Sequence, residues 1–341
     1  MVDTTVPRQK AEKWNNSFNN IKPLINYSST SQPELLNALK EVGCSFYYEE
    51  INFFRTVRSG ISAEGLFVAD CSDNFSAKYI DTIKGVDVHM VTVNSIEKIQ
   101  ACNDQQYPLQ YILRVAVSDD ISDVGCTIKE ASSIITRASE MGVSLYGLLV
   151  TCNDSKSVSP AVNAVQSLLS QASSVGMNIS NVLIVGEGVE QLLSEEREEE
   201  KRMVEELAGK VNLYADASRF FTESAYIIYT HIIAVKAKTA GEVRRNLYYT
   251  DNGVYCSFYN RHIHNEPLDP KPIMLHDSPN KTLYISTIFG PTCDSIDTLG
   301  NDFMLPEMSV GDWFKFENCG YLCSNFSSRF NGFTDPDILV L

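Results

Sequence analysis

Short runs of apolar, mostly β-branched residues recur at near-regular spacing along the first two-thirds of the chain. They are Pro23–Tyr27, Cys44–Tyr48, Gly65–Ala69, Val86–Val93, Leu109–Val117, Val143–Thr151, Asn181–Val185 and Val211–Ala215. Between them lie segments with helical spacing: Gln32–Val42, Ile51–Arg58, Asn74–Ile83, Ser95–Cys102, Ile128–Met141, Pro160–Val175 and Glu190–Ala208. In the first of these, Leu35, Leu36, Leu39 and Val42 fall on one stripe, the mark of a helix with a single buried face. Gly43, Gly60, Gly85, Gly142 and Gly176 mostly follow helical stretches, where a left-handed cap favours glycine. Strands that alternate with helices pair in parallel, and eight of them close into a (β/α)8 barrel of the TIM type. Runs such as Leu145–Val150 are apolar throughout, as strands covered on both faces are. Periodicity alone leaves an open doubly wound sheet as the alternative.

From about Phe220 the pattern changes. Alternating or aromatic-rich runs (Tyr226–Val235, Leu247–Phe258, Leu283–Ile288, Trp313–Glu317, Ile338–Leu341) are separated by Pro, Asn, Asp and Gly rather than by helices. Asn252-Gly253 predicts a tight turn between two strands. The chain therefore divides into an N-terminal extension over 1–21, an α/β barrel over 22–219 and a predominantly β domain over 220–341. The charge run Glu195–Arg202 reads as the solvated face of the last long helix, laced by i,i+4 pairs.

Composition narrows the class. A length of 341 residues suits two domains, and 44 % hydrophobic against 21 % charged residues gives ample material for a core, which excludes disorder. With 28 Lys+Arg against 43 Asp+Glu the net charge is −15, so the basic footprint that nucleic acid or an anionic membrane requires is missing. The longest apolar stretch, Ala225–Val235, is interrupted by Thr230 and His231 and is too short to span a bilayer. The opening residues do not read as a signal peptide. Nine cysteines without a C-x-x-C pair point to a reduced, cytoplasmic chain with no structural zinc.

In such a barrel the site lies at the C-terminal ends of the strands. Those positions carry Ser28, Ser29 and Thr30 after the first strand, and Thr151, Cys152, Asn153 and Asp154 after the sixth. Gly186-Glu187-Gly188 follows the seventh, and Asp216, Ala217, Ser218 and Arg219 the eighth. No G-x-S-x-G, P-loop or G-x-G-x-x-G is present, and Gly186-Glu187-Gly188 is too short and too acidic for a phosphate cradle. His89, His231, His262, His264 and His276 lack metal-ligand spacing. His262 and His264 alternate on an expected strand, a weak metal signal only.

The most distinctive words stand late in the chain: Asp251-Asn-Gly-Val-Tyr-Cys-Ser-Phe258, Phe289-Gly-Pro-Thr-Cys-Asp-Ser-Ile-Asp297, Leu305-Pro-Glu-Met-Ser-Val-Gly-Asp-Trp313, Phe316-Glu-Asn-Cys-Gly320 and Phe330-Asn-Gly-Phe333. Together they closely resemble the eukaryotic ornithine decarboxylase and antizyme inhibitor family, and the resemblance runs from about Lys22 to the C-terminus. It implies an alanine-racemase-like barrel, a β domain, pyridoxal phosphate as cofactor and active sites shared across a dimer.

Set against the family's motifs, most functional positions are changed. Pro23-Leu-Ile-Asn-Tyr-Ser-Ser-Thr30 matches the segment of the cofactor lysine and puts Ser28 at that lysine, where a hydroxyl cannot form the internal Schiff base. An acidic residue of the family falls on Tyr47, its ring-stacking histidine on Thr151 and a phosphate-binding serine on Asp154. Its glycine-rich phosphate loop carries Glu187, a phosphate-holding tyrosine falls on Leu322 beside Tyr321, and the substrate-ammonium aspartate on His264. Arg114, Asp216, Arg219, Cys293 and Asp294 survive as remnants, with Asp216 in place of a glutamate. Asp154 and Glu187 are expected to face the phosphate seat; two unit charges about 4 Å apart repel by about 4 kcal/mol at an effective dielectric near 20.

These substitutions imply a catalytically inactive, ornithine-decarboxylase-like protein from which pyridoxal phosphate binding is lost. It is expected to act in polyamine metabolism through protein contacts, sequestering antizyme or pairing with an active decarboxylase, as a homodimer or heterodimer. Ala69–Ser95 matches the family's antizyme-binding segment, with a weakened basic character: Asp70 stands there beside Lys78 and Lys84. A Ser-Val-Lys-Phe-Gly interface stretch has no match between Val117 and Ile128, which leaves the opposing Asp297 without that partner. The alternative is an enzyme or ligand-binding barrel with changed chemistry, built on Cys293 and Asp294 or on the acidic mouth formed by Asp154, Glu187 and Asp216.

Overall fold

A chain of short apolar strands and one-sided helices buries both by curling the strands inside the helices. The computed structural model describes residues 1–30, 32–48, 66–68, 81, 89–103, 108–118, 124–241, 243–275, 282–321 and 327–341. Eight parallel strands follow one another around a closed ring: β1 (Ile21–Asn26), β2 (Ser45–Tyr48), β3 (Leu66–Val68), β4 (Met90–Val93), β5 (Gln110–Val115), β6 (Leu145–Thr151), β7 (Asn181–Val185) and β8 (Asn212–Asp216). The ring closes where β1 pairs with β8, Leu24 opposite Asp216. All five residues of β7 are buried, as its unbroken apolar run requires. The barrel is the architecture expected, and the doubly wound alternative is excluded by the β1–β8 pairing.

The helices Pro33–Glu41, Ile96–Asn103, Ile128–Glu140 and Val158–Ser174 form where the spacing predicts them. Ile128–Glu140 starts on a capping box: Thr127 N–H donates to Glu130 Oε2 at 2.8 Å while Thr127 Oγ1 accepts from Glu130 N–H. The expected helix over Glu190–Ala208 is instead two, Gly188–Gln191 and Glu198–Ala208. Its charge run is partly anchored rather than solvated: Glu195 accepts from Ser155 Oγ at 2.6 Å, and Arg197 bridges Glu195 and Glu200 at 3.0 and 2.8 Å. The helices expected at Ile51–Arg58 and Asn74–Ile83 lie outside the described residues, apart from Asp81.

The first twenty residues hold a helix the strand pattern did not announce, Val6–Ser17. Trp14 is wholly buried, lies edge-on to Phe18 with ring centroids 5.0 Å apart, and donates its indole N–H to Ile21 O at 2.8 Å. Val2 bridges both Val340 and Tyr226.

Contacts divide the chain into two compact units, Lys10–Ser28 with Lys40–Ser218, and Met1–Gln9 with Ser29–Leu39 and Arg219–Leu341. The second unit contains a six-stranded sheet in the order β11-β14-β9-β10-β12-β13. Its strands are β9 (Ile228–Ala240), β10 (Val243–Thr250), β11 (Lys271–Ile273), β12 (Leu283–Phe289), β13 (Thr298–Pro306) and β14 (Trp313–Phe316). Tyr248, Phe258, Phe314 and Phe316 fill its core, Tyr248 meeting Phe314 edge-on at 5.7 Å.

Three sequence expectations are corrected here. The run Leu247–Phe258 is not one strand: β10 ends at Thr250, and Asn252-Gly253 leads into a π-helical turn, Val254–Phe258, and the helix Tyr259–Ile263. The cause is Asp297, whose Oδ1 accepts from Val254 N–H at 2.8 Å and lies so close that a Cβ on Gly253 would meet it at 2.1 Å. His262 therefore sits on a helix with His264 at its C-terminal cap, so the alternation expected of a strand does not arise. β13 was hidden by Gly300, Asn301 and Asp302; Asp302 adopts φ +62° and the pairing with β12 is irregular there. Ile338–Leu341 makes a single bridge at Val340 rather than a strand.

Among the described residues no helix is long and apolar enough to cross a membrane.

Two stability outcomes follow. Trp14→Ala is expected to lower unfolding free energy by about 3–5 kcal/mol, measured by urea denaturation, because a whole buried ring is lost. Asp297 is 1 % exposed and accepts from Val254 N–H and Thr292 N–H, at 2.8 and 2.9 Å. Asp297→Ala leaves the buried Val254 N–H unpaired, at about 1–3 kcal/mol, and the part-buried Thr292 N–H without its acceptor, and a lowered melting temperature reads this out.

Candidate functional site

In the barrel unit the strand ends converge on one buried carboxylate. Tyr47 points into the barrel interior among Leu24, Ile112, Leu149, Leu183 and Val185, and its hydroxyl donates to Asp216 Oδ2 at 2.5 Å. Gly186 N–H donates to the same oxygen at 3.2 Å. The other oxygen, Oδ1, accepts from Ser218 N–H at 2.9 Å and Ser218 Oγ at 2.5 Å. Four donors fill the roughly four acceptor positions a carboxylate offers, which compensates the burial of Asp216, only 5 % exposed. Tyr47, counted as a loss in the sequence, is thus a partner of the retained acid.

Ser28 stands on a short 3-10 turn, Tyr27–Ser29, directly after β1. Its Oγ donates to Asn26 Oδ1 at 2.6 Å and its N–H to the same atom at 3.0 Å. Arg114 lies buried on β5 and donates through Nε to Val124 O at 3.0 Å, closing the loop that follows its own strand.

After β6 and β7 the backbone is packed closely. A Cβ on Gly188 would meet Cys152 Sγ at 2.4 Å and Asp154 O at 2.6 Å, which explains why glycine persists there. Asp154 caps its own turn. Its Oδ1 accepts from Ser157 N–H and Ser157 Oγ, both at 2.9 Å, capping the turn Ser155–Ser157 and holding the carboxyl below its usual range. Glu187 is half-buried at the start of the helix Gly188–Gln191. Burial pushes the Cys152 thiol up to about 11, which makes it a poor nucleophile. Thr151 Oγ1, at the end of β6, is buried with no hydrogen-bond partner, an arrangement that fits a group held at the mouth.

The sheet unit carries the other remnants. Arg219 donates to Glu223 at 3.1 Å and Glu266 at 2.5 Å, and its guanidinium lies over the Tyr321 ring at 4.7 Å. Arg261 reaches the same two acids, at 3.0 and 2.7 Å, so the four side chains form a closed ring of alternating charge. Sequence reading missed Glu266 and Arg261, which lie far from Arg219 along the chain and follow no motif. His264 is exposed at a helix end.

Cys293 is exposed, and Asp294 beside it accepts from Tyr255 OH at 2.7 Å and Ile296 N–H at 3.0 Å. The tyrosine hydrogen bond holds the Asp294 carboxyl below its usual range, while Tyr255 itself is pushed up to about 12. Tyr255 also stacks on Phe330, centroids 4.3 Å apart. Asp297 is buried and binds backbone N–H groups of its own unit. Leu322, His276, Lys78 and Lys84 lie outside the described residues, as does most of Ala69–Ser95.

Residues 66–320 match the family described as pyridoxal-dependent decarboxylase, C-terminal sheet domain. Antizyme inhibitor 2 of Xenopus laevis is 28 % identical, over 93 % of this chain and 75 % of its own length. A probable ornithine decarboxylase of Dictyostelium discoideum is 23 % identical, over 99 % and 78 % respectively. The solved complex of SrLDC with PLP and cadaverine shares the fold, with a TM-score of 0.82 at 18 % identity, covering 98 % of this chain and 88 % of that one. The expectation that the cofactor has been lost is overturned by these matches: the family is pyridoxal-dependent, and a neighbour of the same fold holds PLP. Active decarboxylases and antizyme inhibitors stand side by side among the relatives. With three-quarters of its length under that match, the chain belongs to the pyridoxal-dependent decarboxylases, in the family of ornithine decarboxylase and the antizyme inhibitors.

Proposed function

We propose that this protein is a regulatory member of the ornithine decarboxylase family, acting through protein contacts in polyamine metabolism rather than by decarboxylating ornithine. The observation that carries the reading is Ser28, hydrogen-bonded to Asn26 at the position that matches the family's Schiff-base lysine. An amine is the nucleophile that chemistry requires, and a serine hydroxyl does not replace it.

Pyridoxal phosphate, when bound, supplies an electron sink for bond cleavage at a neighbouring carbon. In this chain the partnerless Thr151 hydroxyl would hold it, without a covalent link, while the N–H groups of Gly186 and Gly188 already donate to Asp216 Oδ2 and Cys152 O. Asp216, already bonded by four donors, has little acceptor capacity left for it. A polyamine sensor in an acidic mouth draws less support, because Asp154 and Asp216 are both engaged in the protein's own hydrogen bonds.

The partner is antizyme or an active decarboxylase in the cytoplasm. Similarity to antizyme inhibitor 2 supports the first, and the intact Cys293–Asp294 loop supports the second.

Three measurements test this. The purified chain, supplied with pyridoxal phosphate and ornithine, is expected to release no carbon dioxide above background, and turnover at the rate of an active decarboxylase would overturn the reading. Borohydride reduction in the presence of pyridoxal phosphate is expected to label residue 28 in the Ser28→Lys variant and not in the wild type. Retention of antizyme or an active decarboxylase on the immobilised chain is the expected positive result; retention of neither counts against a contact-based role.

A further inference from the structure

The sheet unit contains a cavity of about 210 Å³. Its lining includes the apolar Phe258, Leu268 and Leu299 and the polar or charged Arg261, His262 and Glu266. Arg261 belongs to the ring described above. Its Nη1 takes Glu266 Oε2 at 2.7 Å, while Nη2 takes Glu223 Oε1 at 3.0 Å and donates to Asn318 O. Glu266 is held on its other oxygen, Oε1, by Arg219 at 2.5 Å. The two acids of the ring are therefore not equivalent: Glu266 borders the cavity and Glu223 does not.

We propose that this cavity binds a small carboxylate with an apolar body, whose carboxylate takes Nη1 of Arg261 in place of Glu266 Oε2. The inference is independent of the proposed function. A guanidinium recognises a carboxylate through paired N–H donors, and the contact to be displaced is an ion pair in which Glu266 Oε2 makes no hydrogen bond, so the ligand gains a bond that Glu266 does not make. Glu266 keeps Arg219 through Oε1, so the exchange opens the ring at one contact and leaves the other three in place. The volume suits a ligand of about ten heavy atoms or fewer, smaller than the ~300–1,000 Å³ sites that hold drug-sized molecules. Burial pushes the Glu266 carboxyl up, but the hydrogen bond from Arg219 and the charges of Arg219, Arg261 and His264 outweigh it and hold the group below its usual range. Glu266 is thus an ionised competitor at neutral pH, which keeps the resting affinity modest.

Benzoate, with benzamide as its neutral isostere, probes the site by calorimetry on the full chain. The wild type is expected to bind benzoate in preference to benzamide. Glu266→Gln removes the competitor and is expected to tighten benzoate about tenfold or more, the scale of one charge-assisted hydrogen bond. Arg261→Gln is expected to bring benzoate down to the level of benzamide. Glu223→Gln changes the net charge equally but leaves the cavity-facing acid in place, and is expected to change benzoate binding little. Equal binding of benzoate and benzamide by the wild type and Glu266→Gln would overturn the proposal. So would a gain in Glu223→Gln as large as that in Glu266→Gln, which would mark a general charge effect. Should Glu266→Gln fail to fold, Glu266→Asp carries the same comparison, its carboxylate one methylene short of Arg261.

Discussion

A charge buried in a barrel is stable only where donors surround it, and Asp216 meets that condition at the seam where β8 closes onto β1. Isolated, a buried carboxylate would carry a penalty of several kcal/mol. Here Tyr47 from β2, Gly186 from the turn after β7 and Ser218 from the segment after β8 share its two oxygens. One side chain thereby ties together the ends of three strands. The mouth of the barrel takes its shape from that knot, and the neighbouring positions have adapted to it: Ser28 turns back onto Asn26, and Asp154 caps its own turn.

The sheet unit follows the same logic with different atoms. Asp297 replaces what a tight turn would otherwise supply, binding the backbone of Val254 and Thr292 and forcing glycine at 253. Tyr255, carried on the π-helical turn that results, fixes Asp294 next to the exposed Cys293. Asp251, Asp294, Asp297 and Asp312, which stand in three of the family words of this unit, each complete another residue's hydrogen bonds, a physical role that does not require catalysis. Arg219 illustrates the same point. An arginine that matches a family functional position is here one corner of a four-membered charge ring closed by Arg261 and Glu266.

Family membership and chemistry separate cleanly in this chain. The family match and a PLP-bound neighbour of the same fold point toward the cofactor, and the sequence reading that declared it lost weighed Asp154 as a free charge. In the folded chain that carboxylate is held in a cap, and Thr151 presents a buried hydroxyl without a partner. The missing amine at position 28 is a separate matter, because covalent attachment and non-covalent binding draw on different groups.

The eight barrel strands, four of the helices and the change of character near Phe220 were legible in the residues themselves, because burial on one or both faces imposes a period that local sequence carries. The substitution at Ser28 was legible for the same reason, since it lies in an unbroken strand-end motif. The helix Val6–Ser17, strand β13 and the break after Gln191 were not: each depends on a partner remote in sequence or on polar residues that interrupt the pattern. Above all, the state of every charged group was decided by the tertiary structure. A sequence states which acids and bases exist, but Asp216, Asp297, Glu195 and Glu266 acquire their roles only when folding brings donors to them across long stretches of chain. Electrostatic and hydrogen-bonding energies fall off over a few ångströms of space, and spacing along the chain does not encode that distance.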